Sequence, residues 1–173
     1  ASLGGAAAIP LAAGTYSLRI SGPASNGYSF RLLDTRLATA LTLGMAVSGQ
    51  LSPANETDLY QFNVTAGERF YFDVKSFSGN YWPYWRLLDP NGQLVFGPDT
   101  FYPYYDKEPL TLTQTGAYIL LIEGYIYDSG ATSNYSFNVQ KVIDEQYPLT
   151  VGDRKFLPVD DRLVARLDVE LVF

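Results

Sequence analysis

Apolar and polar residues alternate along most of this chain with a period of two. In "DLYQFNV" (58–64) Tyr60, Phe62 and Val64 share one face and Leu59, Gln61 and Asn63 the other, and "RFYFDV" (69–74) repeats the pattern. Successive side chains of a strand point to opposite faces, so each run predicts a strand with one buried face. The intervening "TAGE" is a tight connection, and the two strands read as a hairpin. Further strands are predicted at "YWRLLD" (84–89), "QLVF" (93–96), "PLTLT" (109–113), "AYILLIEGY" (117–125) and "YSFNVQKV" (135–142). "DPNG" (89–92) is a turn signal, because proline presets its own φ and Asn-Gly accepts positive φ. Helix signals are scarce. Short strands separated by turns predict an all-β fold, an antiparallel jelly-roll-like β-sandwich.

The chain also repeats itself. "AGTYSLRISG" (13–22) is echoed by "TGAYILLIEG" (115–124), with Gly14 and Gly116 standing 102 residues apart. "YSFRL" (28–32) is echoed by "YSFNV" (135–139) at a spacing of 107, which places a five-residue insertion in "YIYDSGATSN". "ALTLG", ending at Gly44, is echoed by "PLTVG", ending at Gly152, at a spacing of 108. A period of this size suits a whole domain in a tandem array and is too long for a solenoid unit. The expected organisation is therefore one complete copy plus a partial copy: residues 1–34 the C-terminal strands of a first sandwich, 44–142 a complete sandwich, and 143–173 a linker and terminal strand.

Two strands alone are marginal in water, so the N-terminal fragment needs a partner. In "RLVARLDVELVF" (162–173) Leu163, Ala165, Leu167, Val169, Leu171 and Phe173 alternate with mostly polar neighbours, the pattern of a half-buried donor strand. Either this strand completes the first copy within the chain, or it adds to another subunit's open edge, or the chain is a piece of a longer protein.

Composition narrows the chemistry. Of the 173 residues 47% are hydrophobic and 17% charged, which describes a folding chain with a sizeable core. The net charge of −6, with no basic run, argues against nucleic acid, whose backbone demands a positive stripe. The chain has no Cys and no His, which removes disulfides, thiolate chemistry, zinc-cysteine sites and the commonest general base. No apolar run approaches the ~20 residues of a membrane helix, and "ASLGGAAAIP" lacks the basic region of a signal peptide. The expectation for Ala1 is either a position after a cleavage site or a cut in a larger protein.

The segment "VSGQLSPANETDLYQFNVTAGERFYFDV" (47–74), followed by "LLDPNGQLVF" (87–96) and "LTQTGAYILLIEG" (112–124), resembles the bacterial pre-peptidase C-terminal domain. A glycine-led strand, an Asp before a Tyr-containing strand, an "AG" turn, a "DPNG" turn and a "TGxY" strand occur in the family's order. The resemblance covers about one hundred residues, with its tail repeated at 10–34. It implies a secreted bacterial jelly-roll sandwich that serves extracellular enzymes and surface proteins as a non-catalytic accessory module, sometimes in tandem. Similar segments of bacterial collagenases bind collagen and calcium. Asp58 stands at the family's strand-leading Asp, whereas "TRLATALTL" (35–43) replaces its acidic, Asn-rich lead-in, which counts against a calcium site of that kind.

Two groups of residues are candidates for binding. Asn55, Glu56 and Asp58 place hard oxygen donors in one loop, the donor type calcium takes, although a loop this short supplies fewer than its six to eight ligands; the alternative is a solvated turn. Calcium is the one cofactor the pattern admits, and none is required. Aromatic residues crowd "NYWPYW" (80–85) and "FYPYYDKEP" (101–109), where Tyr81, Trp82, Tyr84, Tyr102, Tyr104 and Tyr105 either stack against a ligand or pack within and between domains.

No catalytic constellation emerges. Lys75, Lys107, Lys141 and Lys155 are the only lysines, and Glu123 and Asp128 carry no signal of a glycosidase pair. Sequons at Asn55, Asn63 and Asn134 arise easily by chance in a Ser- and Thr-rich β-protein. The expected function is a non-catalytic extracellular structural or adhesive module, a fibre subunit in its sharpest form, partnered by itself or by neighbouring tandem domains. The alternative is an accessory domain that binds a polysaccharide or a fibrous protein such as collagen. Either way the expected location is secreted or on a bacterial cell surface.

Overall fold

The computed structural model describes residues 9, 11–22 and 30–143. A single 3-10 turn, Thr35–Leu37, precedes nine strands: β1 (Thr39–Ala40), β2 (Val47–Leu51), β3 (Thr57–Val64), β4 (Arg69–Ser78), β5 (Tyr84–Leu88), β6 (Leu94–Thr100), β7 (Lys107–Thr111), β8 (Gly116–Glu123) and β9 (Ser133–Val142). They form a five-stranded sheet, β1-β3-β8-β5-β6, over a four-stranded sheet, β2-β9-β4-β7. All pairings are antiparallel except β1 with β3. The result is the expected jelly-roll-like β-sandwich.

The alternation read from the sequence becomes the core. Tyr60, Phe62 and Val64 of β3 and Tyr118, Leu120 and Ile122 of β8 face Phe70, Phe72 and Val74 of β4 and Tyr135, Phe137 and Val139 of β9, all buried. Burying a large apolar side chain is worth roughly 1.5 to 3 kcal/mol, so these facing rows drive the two sheets together.

This packing corrects the hairpin expected across "TAGE". β3 and β4 lie in different sheets, and Phe62 meets Phe70 with tilted rings and Phe72 edge-on across the core, with ring centroids 5.4 and 6.1 Å apart. Two consecutive strands with one apolar face each can pair side by side or fold over each other, and here the second arrangement buries both faces. Every connection from β1 to β9 except β5–β6 crosses between the sheets.

The crossings give the sandwich two unlike ends. At one, the turns 65–68, 89–93 and 112–115 are tight: Gly67 N–H donates to Leu112 C=O at 2.8 Å and Leu112 N–H to Glu68 C=O at 2.9 Å. In the "DPNG" turn Asp89 and Gln93 close the loop at 2.8 Å, and Gly92 supplies the required φ of +73°. At the other end the loops 79–83, 101–106 and 124–132 join the 52–56 loop, where Gly124 N–H donates to Glu56 C=O at 2.7 Å. A Cβ on Gly124 would overlap the Ala54 backbone, so this approach demands glycine.

The chain enters at the loop end and leaves at the turn end. Arg31 lies 3.6 Å from Glu56 at the loop end, and β1 then runs parallel to β3 toward the turns, where Gly44 N–H donates to Val139 C=O at 2.8 Å. β9 ends opposite Arg69, with Lys141 bonded to Glu68 at 2.6 Å. The sandwich therefore starts before residue 44, since Ala38 is buried and Leu41 and Leu43 pack on the core.

The N-terminal stretch expected to hold strands of a first copy carries none among its described residues, 11–22 and 30–34. Topology supplies the reason. Its echoes, β8 and β9, are central strands of opposite sheets and never pair with each other, so the two segments cannot satisfy one another. Residues 144–173, with Lys155 and the donor-strand positions Leu163, Leu167, Val169, Leu171 and Phe173, lie outside the described residues.

Candidate functional site

Every exposed Tyr and Trp of the sandwich itself lies at the loop end: Tyr81, Trp82, Tyr104, Tyr105 and Tyr127. The turns at the opposite end hold no aromatic residue. Trp82 sits between Phe77 of β4 (ring centroids 4.9 Å) and Tyr102 (4.3 Å), and Tyr102 continues to Tyr105 at 5.3 Å and Tyr104 at 6.2 Å. Tyr81 turns the other way, to Tyr125 at 5.1 Å, which meets Tyr127 at 5.6 Å. Of the six aromatic residues singled out from the sequence, five thus join this surface. Tyr84 instead lies half-buried within β5, opposite Thr100 and Glu123.

The loops are held from beneath. Phe101 is fully buried, and its N–H donates to Pro83 C=O at 2.8 Å. Asp106 accepts from Tyr71 OH at 2.6 Å and from Val74 N–H at 2.8 Å, extending the β4–β7 ladder past its last pair, Phe72 with Lys107. Burial first, then the bond to Asp106, pushes the Tyr71 phenol far above its ordinary range. Between these anchors Tyr104 takes φ +90°, which a residue with a Cβ rarely adopts, and its ring is 89% exposed. Strain of this kind clusters where a side chain must be presented.

Sequence reasoning missed Phe77, Tyr125 and Tyr127. The signal for the last two was present, because both lie in the segment that carries the five-residue insertion. Asp128 orders that insertion from within: it is buried, its N–H donates to Tyr125 C=O, and it accepts from Gly130 N–H, both at 2.8 Å. The acids of these three loops, Asp106 and Asp128, both point inward, so the outer face is rings, hydroxyls and amides.

The acidic trio is differently disposed. Glu56 accepts from Ser52 N–H at 2.7 Å and faces Arg31, while Asp58 accepts from Tyr135 OH at 2.5 Å, and Tyr135 contacts Tyr60 OH at 2.6 Å. Asn55 is exposed. Among the described residues no three acidic side chains gather as a metal cage. A shallow cavity of about 290 Å³ beside Asp58 is lined by Leu37, Thr39, Thr57, Leu59 and Tyr60. Glu123 bonds Arg86 at 2.7 Å, Lys107 and Lys75 pair with Asp99 and Asp73, and Lys141 pairs with Glu68. Of the groups considered for catalysis, those among the described residues are thus engaged structurally.

Burial raises the Asp58 pKa above 3.8, outweighing the Tyr135 bond, with Glu56 adding to the rise and Arg31 opposing it. A carboxyl with a raised folded pKa contributes its stability below the unfolded value and loses it as pH rises through the folded one. Asp58→Asn keeps an acceptor for Tyr135 without the charge. Its stability relative to the parent, read from urea midpoints, should rise as pH climbs above 3.8 and then level off; parallel pH profiles would refute the assignment.

No family model matches the chain, and no curated protein matches it. Among solved structures, the pre-peptidase C-terminal domain of collagenase from Bacillus anthracis is similar at TM-score 0.46 and 20% identity, over 60% of this chain and 94% of that one. The Salmonella Typhimurium PliG, a periplasmic inhibitor of g-type lysozyme, is similar at TM-score 0.44 and 18% identity, over 61% and 98%. The Aeromonas hydrophila PliG follows at 0.42 and 10%, over 60% and 96%. Likeness of this order assigns no family and no ligand.

Proposed function

We propose that this chain is a non-catalytic structural and adhesive module of a linear array of β-sandwiches, secreted or displayed on a bacterial surface, with its aromatic end as the contact face. The observation that carries this reading is the path of the chain: it enters at the loop end and leaves at the turn end, and the stretches on either side echo β8, β9 and the lead-in to β2. A module threaded end to end joins its neighbours in line. The few residues between the β9 echo and Thr39 reach ~3.3 to 3.6 Å each, so a preceding module must lie close to the aromatic face.

The second reading, an accessory domain for an uncharged polysaccharide or a fibrous protein, is favoured by the strained presentation of Tyr104. Light scattering across a wide concentration range separates the two. A structural module should associate with itself, and Trp82→Ala should reduce that association several-fold. An accessory domain should stay monomeric and show saturable binding to the polysaccharide or fibrous protein that Trp82→Ala or Tyr104→Ala weakens. A monomer indifferent to both substitutions in every assay sinks both readings.

A further inference from the structure

We infer that the exposed N-terminal stretch is one half of a second sandwich and that the strand opposite it is the C-terminal strand of another copy of this chain, in a register the complete sandwich specifies. This rests on the array reading and goes further, because it names the partner residues. The correspondence runs residue by residue. Tyr118, Leu120 and Ile122 are buried in β8, and the residues 102 positions earlier, Tyr16, Leu18 and Ile20, are apolar and 44 to 62% exposed. Phe137 and Val139 are buried in β9, and their counterparts 107 positions earlier, Phe30 and Leu32, are 58 and 81% exposed. The stretch thus presents to solvent the side chains that the complete copy buries.

Topology then says what is missing. β8 takes β3 as one neighbour and β9 takes β2, so the stretch needs a β3-type strand for one segment and a β2-type strand for the other. A single donor strand cannot serve both. The segment after Gly152 carries both positions in order: 155–159 falls at β2, and with one residue fewer than in the central copy Leu167, Val169 and Leu171 fall at Tyr60, Phe62 and Val64. In the central copy Tyr60 lies opposite Leu120 and Phe62 opposite Tyr118. Leu167 therefore meets Leu18, Val169 meets Tyr16, and on the outer face Asp168 meets Ser17, as Gln61 meets Ile119.

The two flanking stretches leave the sandwich at opposite ends, separated by the length of an eight-residue strand, ~26 Å. A second copy aligned head to tail brings them together directly. The assembled half lacks neighbours of the β4 and β5 type, so association is weak and rises with concentration.

The chain has no cysteine, which makes the register testable by crosslinking. Ser17→Cys chains mixed with Asp168→Cys chains and oxidised should give heterodimers at several-fold higher yield than Ser17→Cys mixed with Arg162→Cys, whose thiol lies six residues, ~20 Å, out of register. The double variant Ser17→Cys/Asp168→Cys should give a ladder of oligomers. Equal yields from the two mixtures, or a crosslinked monomer from the double variant, overturn the inference. Deleting residues 162–173 should abolish association and leave the urea transition of the central sandwich unchanged; association that survives the deletion overturns it too. Assembly by light scattering without register-specific crosslinks leaves the array reading standing, whereas absence of both removes the array reading as well.

Discussion

Trp85→Ala should lower the unfolding free energy by about 3 to 5 kcal/mol, the usual cost of removing a fully buried tryptophan. Trp85 is inaccessible to solvent on β5, and its ring meets Phe96 at 5.7 Å, Phe72 at 6.4 Å and Phe101 at 5.3 Å, each edge to face. It therefore ties the five-stranded sheet to β4 and to the residue that anchors the aromatic loop. Domains of this size are stable by only about 5 to 15 kcal/mol, so the variant should stand near the threshold of unfolding. Trp85→Phe provides the contrast. The indole Nε1–H is buried and finds no acceptor among the described residues, a situation that costs about 1 to 3 kcal/mol. Removing that donor offsets part of the lost volume, so Trp85→Phe should cost much less than Trp85→Ala. Urea melts of both variants test the pair, and a Trp85→Ala penalty under about 1 kcal/mol would contradict the packing.

Such core positions were legible from the sequence because burial on one face imposes a period of two. β3, β8 and β9 fall where alternation places them, with Tyr60, Tyr118 and Tyr135 each beginning an inward row. Alternation does not say what lies across from a buried face, which is why "TAGE" reads as a hairpin and folds as a crossing between sheets. β1 was invisible for another reason: two residues carry no periodicity, and its parallel pairing with β3 is set by where the entering chain is clamped. β4 continues to Ser78 through "SFS", past the run expected from alternation, because β9 keeps pairing with it beyond a bulge after Val74.

The candidate site was half legible. Composition located the Tyr-rich loops, but it could not say that 79–83, 101–106 and 124–132 meet at one end, since that follows from the crossings. Nor could it tell presented rings from buried ones: Phe101 and Tyr104 are three residues apart, one in the core and one in solvent. The trio Asn55, Glu56 and Asp58 looked like a donor cluster because its members are close in sequence. In the structure Glu56 accepts from Ser52 N–H and Asp58 from Tyr135 OH, partners that closeness in sequence does not reveal.

Glu123→Ala should cost about 3 kcal/mol, although neither partner of its ion pair stood out as a structural residue in the sequence. Arg86 lies within the apolar run "YWRLL" with its side chain only 6% exposed, and its Nε donates to Glu123 Oε2 at 2.7 Å from the adjacent β8. Removing the carboxylate leaves a guanidinium whose side chain is only 6% exposed without its charge partner. Glu123→Gln keeps an acceptor and should cost less, because only the charge is lost. Replacing both partners, Arg86→Met with Glu123→Leu, removes the desolvation penalty along with the attraction and should recover most of the lost stability. A double-mutant cycle on urea midpoints distinguishes this from simple loss of contact. If the double variant is as unstable as the sum of the singles Arg86→Met and Glu123→Leu, the coupling between them is zero and the two side chains act independently. If it is close to the parent, the pair instead sets how β5 lies against β8, a role an apolar pair of similar volume can take over.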